Sequence, residues 1–282
     1  MIHTIENEFL KVCCKEKGAE LTNLYSKKFD FEYLWQAGKE WPKHSPILFP
    51  VVGDLKDKKI KIKGKEYPMT KHGFARDHEF EVFGMQKNQI TYLLKQNQQT
   101  ELLYPYNFEF YVSYLLKENV LQVSYKVVNT DNESLYFSVG AHPAFGLIGE
   151  KFEDNYLEFE TEENAGIYVK NQILENDSQP FFDGQKLLPL SNKTFEKDAL
   201  IFKDIKSKHV TLKNLKSDRN VKINFESPYF MIWTNCEKFV CLEPAWGLDD
   251  SQNSTGNIEE KEGINKLAPK QAFEMSYTIE LN

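Results

Sequence analysis

Two adjacent segments most strongly restrict the fold of this chain. Phe108–Leu116 and Val120–Val128 alternate apolar and polar residues, and three residues, 117–119, connect them. A period of two buries one face of an extended segment, and a three-residue connection is of hairpin length. The two segments therefore predict neighbouring antiparallel strands.

Similar segments recur along the chain, whereas helical periodicity is limited to single turns at Glu101–Tyr104, before Pro105, and at Ile258–Glu262. We found no fixed-period repeat and no Pro- or Ser-rich linker. We therefore predict one all-β domain over residues 1–282, mostly antiparallel, in a sandwich or barrel. The further predicted strands are Phe9–Cys13, Glu20–Tyr25, Phe31–Trp35, His78–Phe83, Ile90–Leu94, Tyr156–Glu160, His209–Leu212, Val221–Phe225, Tyr229–Thr234, Phe239–Glu243 and Phe273–Leu281.

Composition narrows the classes of partner. The formal net charge of −7 argues against nucleic acid, because neutralising phosphates requires a basic face. No signal peptide or membrane-length apolar run is visible, so we expect a cytoplasmic protein, monomeric or homodimeric, with no membrane partner. The spacing of its four cysteines and its histidines matches no common zinc pattern, and we expect neither a metal nor another cofactor.

One histidine is framed by unusual neighbours. A strand-like run leads into Gly140-Ala141-His142-Pro143-Ala144-Phe145-Gly146. Because proline disfavours the α region for the residue before it, His142 should be extended at a strand end. The segment is typical of a rigid mount for an imidazole, although a buried structural histidine would also fit.

A glutamate is framed in the same way. The apolar run 239–242 ends in Glu243-Pro244-Ala245-Trp246, which repeats the plan of an ionisable residue, Pro-Ala and an aromatic. A carboxylate at the end of a buried strand usually has a partner or a task. Reference pKa values of ~4.3 for glutamate and ~6.5 for histidine would leave Glu243 ionised and His142 able to supply a proton. Trp246 suits either the apolar face of a sugar or the core.

A third segment, Met69–Asp77, contains His72 and Arg76, which can face one cleft if the segment is a loop. The planar guanidinium of Arg76 suits hydroxyls, a carboxylate or a phosphate. A structural ion pair with Asp77 or Glu79 is the alternative.

Together, these segments resemble the motif set of the aldose 1-epimerase (mutarotase) family, in the family's order and over nearly the whole chain. The LacX-type branch is the most similar. The matching segments are Tyr33–Trp35, Leu48–Gly53, His72–Arg76, Gly140–Phe145, Asp198–Phe202 and Leu242–Pro244.

The resemblance implies a galactose-mutarotase-like β-supersandwich that interconverts the α and β anomers of a hexose. It implies that His142 is the general acid toward the ring oxygen and Glu243 the general base toward the C1 hydroxyl. His72 would assist at the ring oxygen, and Asp198 would bind sugar hydroxyls. We add Arg76, Phe145 and Trp246 as candidate substrate contacts, with a small-molecule sugar as the partner and no metal in the site.

One departure leaves the substrate open. Many relatives carry a basic residue where this chain has Asp54, so a sugar contact there is missing or is replaced by Lys71 or Arg76. The same two cations motivate a hexose-6-phosphate 1-epimerase as an alternative. A non-catalytic sugar-binding or sensing protein on the same fold is a third possibility. The sequence contains no Walker loop, dinucleotide fingerprint or serine nucleophile elbow.

Overall fold

The fold is known from a computed structural model that describes residues 1–171 and 173–282. Strands account for 52% of the residues and helices for 7%, and the strand pairs are mostly antiparallel, so the all-β prediction is confirmed.

We number the strands of the described chain in order. The first fourteen are β1 Ile2–Glu6, β2 Leu10–Lys15, β3 Leu21–Ser26, β4 Phe31–Glu32, β5 Ile47–Leu48, β6 Lys59–Ile62, β7 Lys65–Pro68, β8 Glu81–Gln86, β9 Gln89–Lys95, β10 Phe108–Lys117, β11 Val120–Asn129, β12 Leu135–Phe137, β13 Val139–Ala141 and β14 Ala144–Gly146. The remainder are β15 Asn155–Glu163, β16 Ile167–Asn171, β17 Ile173–Gln179, β18 Gln185–Pro189, β19 Leu200–Phe202, β20 His209–Asn214, β21 Ser217–Phe225, β22 Tyr229–Trp233, β23 Phe239–Trp246, β24 Asn265–Leu267 and β25 Ala272–Leu281.

Two large sheets form the body of the molecule. One has nine strands in the order β18-β15-β20-β21-β25-β11-β10-β9-β8, and the other has eight strands, with the path β17-β16-β19-β22-β23-β13-β5 and β14 added beside β23. Smaller sheets are formed by β1–β4, by β6 with β7 and by β12 with β24. The predicted hairpin is the β10–β11 pair, with Phe108 opposite Asn129 and Lys117 opposite Val120.

The core lies between the inner faces of the two large sheets. Strand β10 alternates buried and half-buried residues along its length, as the sequence pattern requires. Leu121 and Val123 of β11 belong to the same buried cluster as Val240 and Leu242 of β23. The apolar residues of one face of β23 thus join the two sheets.

The structure differs from the sequence prediction at two elements. The predicted strand His78–Phe83 begins only at Glu81, and all six residues of β8 are exposed because it is an edge strand paired with β9 alone. The helical turn predicted at Glu101–Tyr104 is instead the helix α1 Gln98–Glu101, which starts early because the Asn97 side chain caps its first turn.

The remaining helical segments are short 3₁₀ turns at Lys56–Lys58, Ala75–Asp77, Phe152–Asp154, Asn192–Phe195 and Ile258–Glu260. The last of these is the turn predicted at Ile258–Glu262. No helix in the described residues has the length and apolar character needed to cross a bilayer.

Candidate active site

Strand register brings His142 and Glu243 together. Strands β13 and β14 both pair with β23, with Gly140 opposite Ala245 and Ala144 opposite Cys241. In an antiparallel pair this count places His142, in the break between β13 and β14, opposite Glu243. The similar framing of the two residues in sequence therefore reflects adjacent positions in one sheet.

The two side chains form a close, buried pair. Nε2 of His142 lies 3.5 Å from Oε1 of Glu243, and the side chains are only 9% and 5% exposed. The Trp41 ring stacks on the imidazole at 5.0 Å between centroids, and Trp233 packs against it edge-on at 5.7 Å. These contacts limit the movement of the imidazole, and the low exposure of both side chains keeps most solvent away from the pair.

Burial changes the protonation expected from reference values. It lowers the pKa of His142 to about 3 and raises the pKa of Glu243 well above its ordinary value. Both shifts favour uncharged groups. The reference values therefore do not describe this pair: without a ligand His142 is neutral at neutral pH, and burial shifts Glu243 toward its protonated form.

His72 is fixed as a neutral hydrogen-bond donor. The backbone N–H of Gly53 donates to its Nδ1 at 3.0 Å, and its own backbone N–H donates to the Gly53 carbonyl at 2.9 Å. Burial holds the pKa of His72 well below its usual range, so the ring proton must sit on Nε2. The His72 ring lies 5.7 Å from that of His142, at a right angle to it.

Two glycines allow the backbone conformation that holds His72 in this position. Gly53 and Gly73 have φ values of +76° and +72°. A Cβ on Gly53 would lie 2.3 Å from Oδ2 of Asp249, and one on Gly73 would lie 2.2 Å from the Phe49 carbonyl oxygen. Both positions combine a left-handed backbone with close packing, which only glycine tolerates easily.

Asp54 belongs to a charge network with Lys71, Lys170 and Asp249, three residues that line the site. It pairs with Lys170 and lies 3.4 Å from the ammonium of Lys71, while Lys170 also contacts Asp249 at 2.8 Å. Burial would raise the pKa of Asp249, but the Lys170 ammonium and the N–H of Asp54 outweigh it and hold that pKa low. The unusual aspartate thus positions two lysines, Lys71 and Lys170, and nothing in the sequence had singled out Lys170.

These groups surround one pocket of about 330 Å³. That volume is within the range of small-molecule sites, roughly 300–1,000 Å³. His72, Arg76, His142, Asp198 and Glu243 all line it, so the structure brings together five of the seven predicted site residues. The other lining residues are Trp41, Lys43, Lys71, Lys170, Ala199, Ile201, Met231, Trp233, Asn235 and Asp249.

Two predicted residues lie at the rim of the pocket. Asp198 is exposed, has φ of +73°, and accepts a hydrogen bond of 2.8 Å from Nε1 of Trp233. Arg76 donates from Nη2 to the Lys71 carbonyl at 2.8 Å, and its Nε lies 3.7 Å from the Asp77 carboxylate. Arg76 thus forms a loose ion pair with Asp77 and also lines the pocket. The predicted structural ion pair and the predicted place in the cleft each describe part of its environment.

Phe145 and Trp246 do not line the pocket. Both are buried in the core between the sheets, at 0% and 8% exposure. Side chains alternate faces along a strand, so Glu243 and Trp246, three residues apart on β23, point to opposite sides. The same alternation turns Phe145 away from the face of Ala144. We do not retain either residue as a substrate contact.

Sequence reasoning missed most of the pocket wall. The sequence analysis made neither Trp41 nor Trp233 a site candidate, although Trp233 lies in the predicted strand Tyr229–Thr234. Lys170 and Asp249 carry no local signal at all, because only the pairing of distant strands brings them to the site. Among the described residues, His142, Cys241 and Glu243 form a group whose donor atoms lie within 4.8 Å of one another and could hold a metal ion.

Comparison with known proteins finds relatives that match nearly the whole chain. The chain is 34% identical to the plasmid-encoded protein LacX of Lactococcus lactis subsp. lactis, over 98% of this chain and 97% of that protein. A galactose mutarotase related enzyme from Lactobacillus acidophilus shares the fold with a TM-score of 0.95 at 36% identity, covering 100% of this chain and 97% of that one. A galactose mutarotase-like protein from Lactobacillus casei has a TM-score of 0.93 at 28% identity, with both chains fully covered.

The fold is therefore the galactose-mutarotase-like β-supersandwich that the motifs predicted. The sequence model of the family described as aldose 1-epimerase matches residues 1–265. On this match, this chain belongs to the aldose 1-epimerase family.

Proposed function

We propose that this protein is an aldose 1-epimerase that interconverts the α and β anomers of a hexose such as galactose or glucose. The observation that carries the proposal is the His142–Glu243 pair, held 3.5 Å apart at the wall of a pocket of about 330 Å³. Anomer exchange requires one proton to leave the C1 hydroxyl and one to reach the ring oxygen. These two oxygens share one carbon, so two proton-transfer groups must lie side by side.

The proton balance of the pair suits this reaction. When the C1–O5 bond breaks and the C1 carbonyl forms, Glu243 takes the hydroxyl proton and His142 gives a proton to the ring oxygen. The pair therefore holds the same number of protons before and after ring opening. Rotation about the C1–C2 bond and closure on the other face reverse both transfers.

Substrate binding would prepare the pair for these roles. A C1 hydroxyl that donates to Glu243 stabilises the carboxylate, and a ring oxygen that accepts from Nε2 of His142 stabilises the imidazolium. Bound sugar thus favours transfer of the pair's proton from the carboxyl to the imidazole. Neutral His72, with its proton on Nε2, supplies a further donor on the same wall.

The pocket also offers surfaces that suit a sugar. Trp41 and Trp233 present aromatic rings, which pack against apolar C–H faces, and the Asp198 carboxylate at the rim can accept from hydroxyls.

Polarimetry and saturation-transfer NMR on fresh α-galactose and α-glucose test the proposal. Accelerated anomer exchange is expected with at least one sugar. No acceleration with any hexose or hexose phosphate at high enzyme concentration would contradict it.

A hexose 6-phosphate is a second candidate substrate, favoured by the charges at one end of the pocket. Lys43 and Arg76 both line it, and no carboxylate among the described residues lies within 4.0 Å of the Lys43 ammonium. Burial and the nearby Arg76 charge lower the pKa of Lys43, which an anion would reverse. Two cations on one pocket, of which Arg76 has only a loose 3.7 Å pairing with Asp77, suit a phosphate.

Comparing kcat/KM for a hexose and its 6-phosphate separates the two substrates. If the phosphate is recognised, it should raise kcat/KM, and Lys43→Met should remove most of the gain while leaving the unphosphorylated sugar little affected. A 6-phosphate that slows turnover would eliminate this candidate and leave the unphosphorylated hexose.

A further inference from the structure

We propose that the His142–Glu243 pair, together with Cys241, forms an inhibitory binding site for a thiophilic divalent metal ion of the zinc class. Metal binding itself does not depend on the proposed function, whereas its inhibitory effect does. The starting observation is that these three residues can each place one donor atom within 4.8 Å of the other two, and that all three are buried.

The strand register explains why the thiol joins the pair. Cys241 and Glu243 are two residues apart on β23, so their side chains share one face. Cys241 lies opposite Ala144, two residues after His142. One strand therefore supplies the thiol and the carboxyl, and its neighbour supplies the imidazole between them.

The donor set and spacing suit zinc. Thiolate, imidazole and carboxylate are its usual protein ligands, at roughly 2.0–2.3 Å, so donors in a tetrahedral site lie about 3.5 Å apart. Nε2 of His142 and Oε1 of Glu243 are already 3.5 Å apart. Since no two of the three donor atoms are more than 4.8 Å apart, the thiol needs to move by up to about 1.3 Å to reach that spacing. His142 and Glu243 also line the pocket, so a small ligand there could take the fourth position. Calcium and magnesium prefer oxygen ligands and should not bind here.

The charge of the site favours binding of Zn²⁺ only when the ligating groups lose their protons. Zn²⁺ would replace the thiol proton of Cys241 and the carboxyl proton of Glu243, so two protons leave and the metal with its two anionic ligands is neutral overall. Lys71 and Lys170 line the same pocket and repel an uncompensated dication. Binding should therefore strengthen as the pH rises, because it releases protons.

The consequence would be competition with substrate. A metal ion held by Nε2 of His142 and by the Glu243 carboxylate occupies both groups that exchange protons with the sugar. Neither transfer can occur until the metal leaves. The ion is thus an inhibitor at the reacting groups and takes no part in the reaction.

The first experiment measures binding without reference to activity. Co²⁺ is titrated into the reduced protein while the near-ultraviolet thiolate-to-cobalt absorption is recorded, and Zn²⁺ displaces it. Cys241→Ser should abolish that absorption and weaken Zn²⁺ binding at least about tenfold. Cys236→Ser is the matched control, since Cys236 lies in the same aromatic cluster but outside the three-residue group, and it should leave both unchanged.

His142→Ala tests a second ligand should Cys241→Ser fold poorly, and it should also weaken Zn²⁺ binding. A wild-type protein without thiolate absorption, or a Cys241→Ser variant that binds Zn²⁺ like the wild type, would overturn the site. The second experiment measures anomer exchange with Zn²⁺ present. Binding without inhibition would refute the inhibitory effect, and inactivity without any metal would instead refute the proposed function.

Discussion

Replacing Glu243 with glutamine should remove most catalysis while preserving the fold. The amide has nearly the shape of the carboxyl group but cannot take the proton from the C1 hydroxyl. Positioned acid–base groups typically contribute ~10²–10⁴-fold, so we expect kcat to fall at least about 100-fold, or about 2.7 kcal/mol in barrier height. The side chain is 5% exposed, and its Oε1 lies 3.5 Å from Nε2 of His142. Such burial limits the access of bulk solvent that could otherwise take the proton.

Stability should change little in this variant. Burial raises the pKa of Glu243 and so favours the uncharged carboxyl, which glutamine matches in shape and charge. The change in the free energy of unfolding should therefore stay well below the ~3–5 kcal/mol that breaking a buried charged pair costs. Sugar affinity should be largely retained, because the pocket wall is otherwise unaltered.

Saturation-transfer NMR on an equilibrated anomer mixture measures the exchange rate, and urea unfolding measures stability. Glu237→Gln is the control, since Glu237 is an exposed carboxylate close in sequence but not on the pocket wall. A folded Glu243→Gln variant that exchanges anomers within threefold of the wild type would refute the assigned role.

Three further predictions concern the structure around the pair. With a pKa of about 3 in the folded state against ~6.5 unfolded, His142 should make stability rise with pH between those values by up to about 1.4 kcal/mol per unit, and urea unfolding of His142→Gln should show a flatter profile. Gly53→Ala should be clearly more destabilising than Gly64→Ala in thermal melts, because both have φ of +76° but only Gly53 would place a Cβ against Asp249. Lys170→Met should cost about 3–5 kcal/mol in urea, since it leaves Asp249 buried without its ammonium partner; a loss below 1 kcal/mol would contradict the network.

Much of the site was predictable because its motifs are local. The special backbone of Gly140–Gly146 was visible in the sequence, since proline restricts the residue before it and glycine permits conformations that other residues avoid. Glu243 ends a wholly apolar run, which signals a buried carboxyl. His72 and Arg76 share one short loop, so the pocket wall receives both. The strands with clean alternation were also found to within a few residues.

The errors come from effects that a local pattern cannot contain. Strand β8 alternates in sequence but is an exposed edge, because burial depends on which strands lie beside it. Trp246 is close to Glu243 along the chain yet faces the other side of β23. The protonation of the pair differed from the reference values because the shifts are caused by burial, which is a property of the packed molecule.

The sequence by itself determined the all-β class, the family motifs and the similar framing of His142 and Glu243, because periodicity, the restriction imposed by proline and the freedom of glycine act over a few residues. Only the tertiary structure decided that these residues are opposite each other at 3.5 Å, that Asp54 holds Lys170 at the pocket, and that Cys241 joins the pair. Those relationships depend on the register between strands distant in the chain, and on the removal of water when the sheets pack.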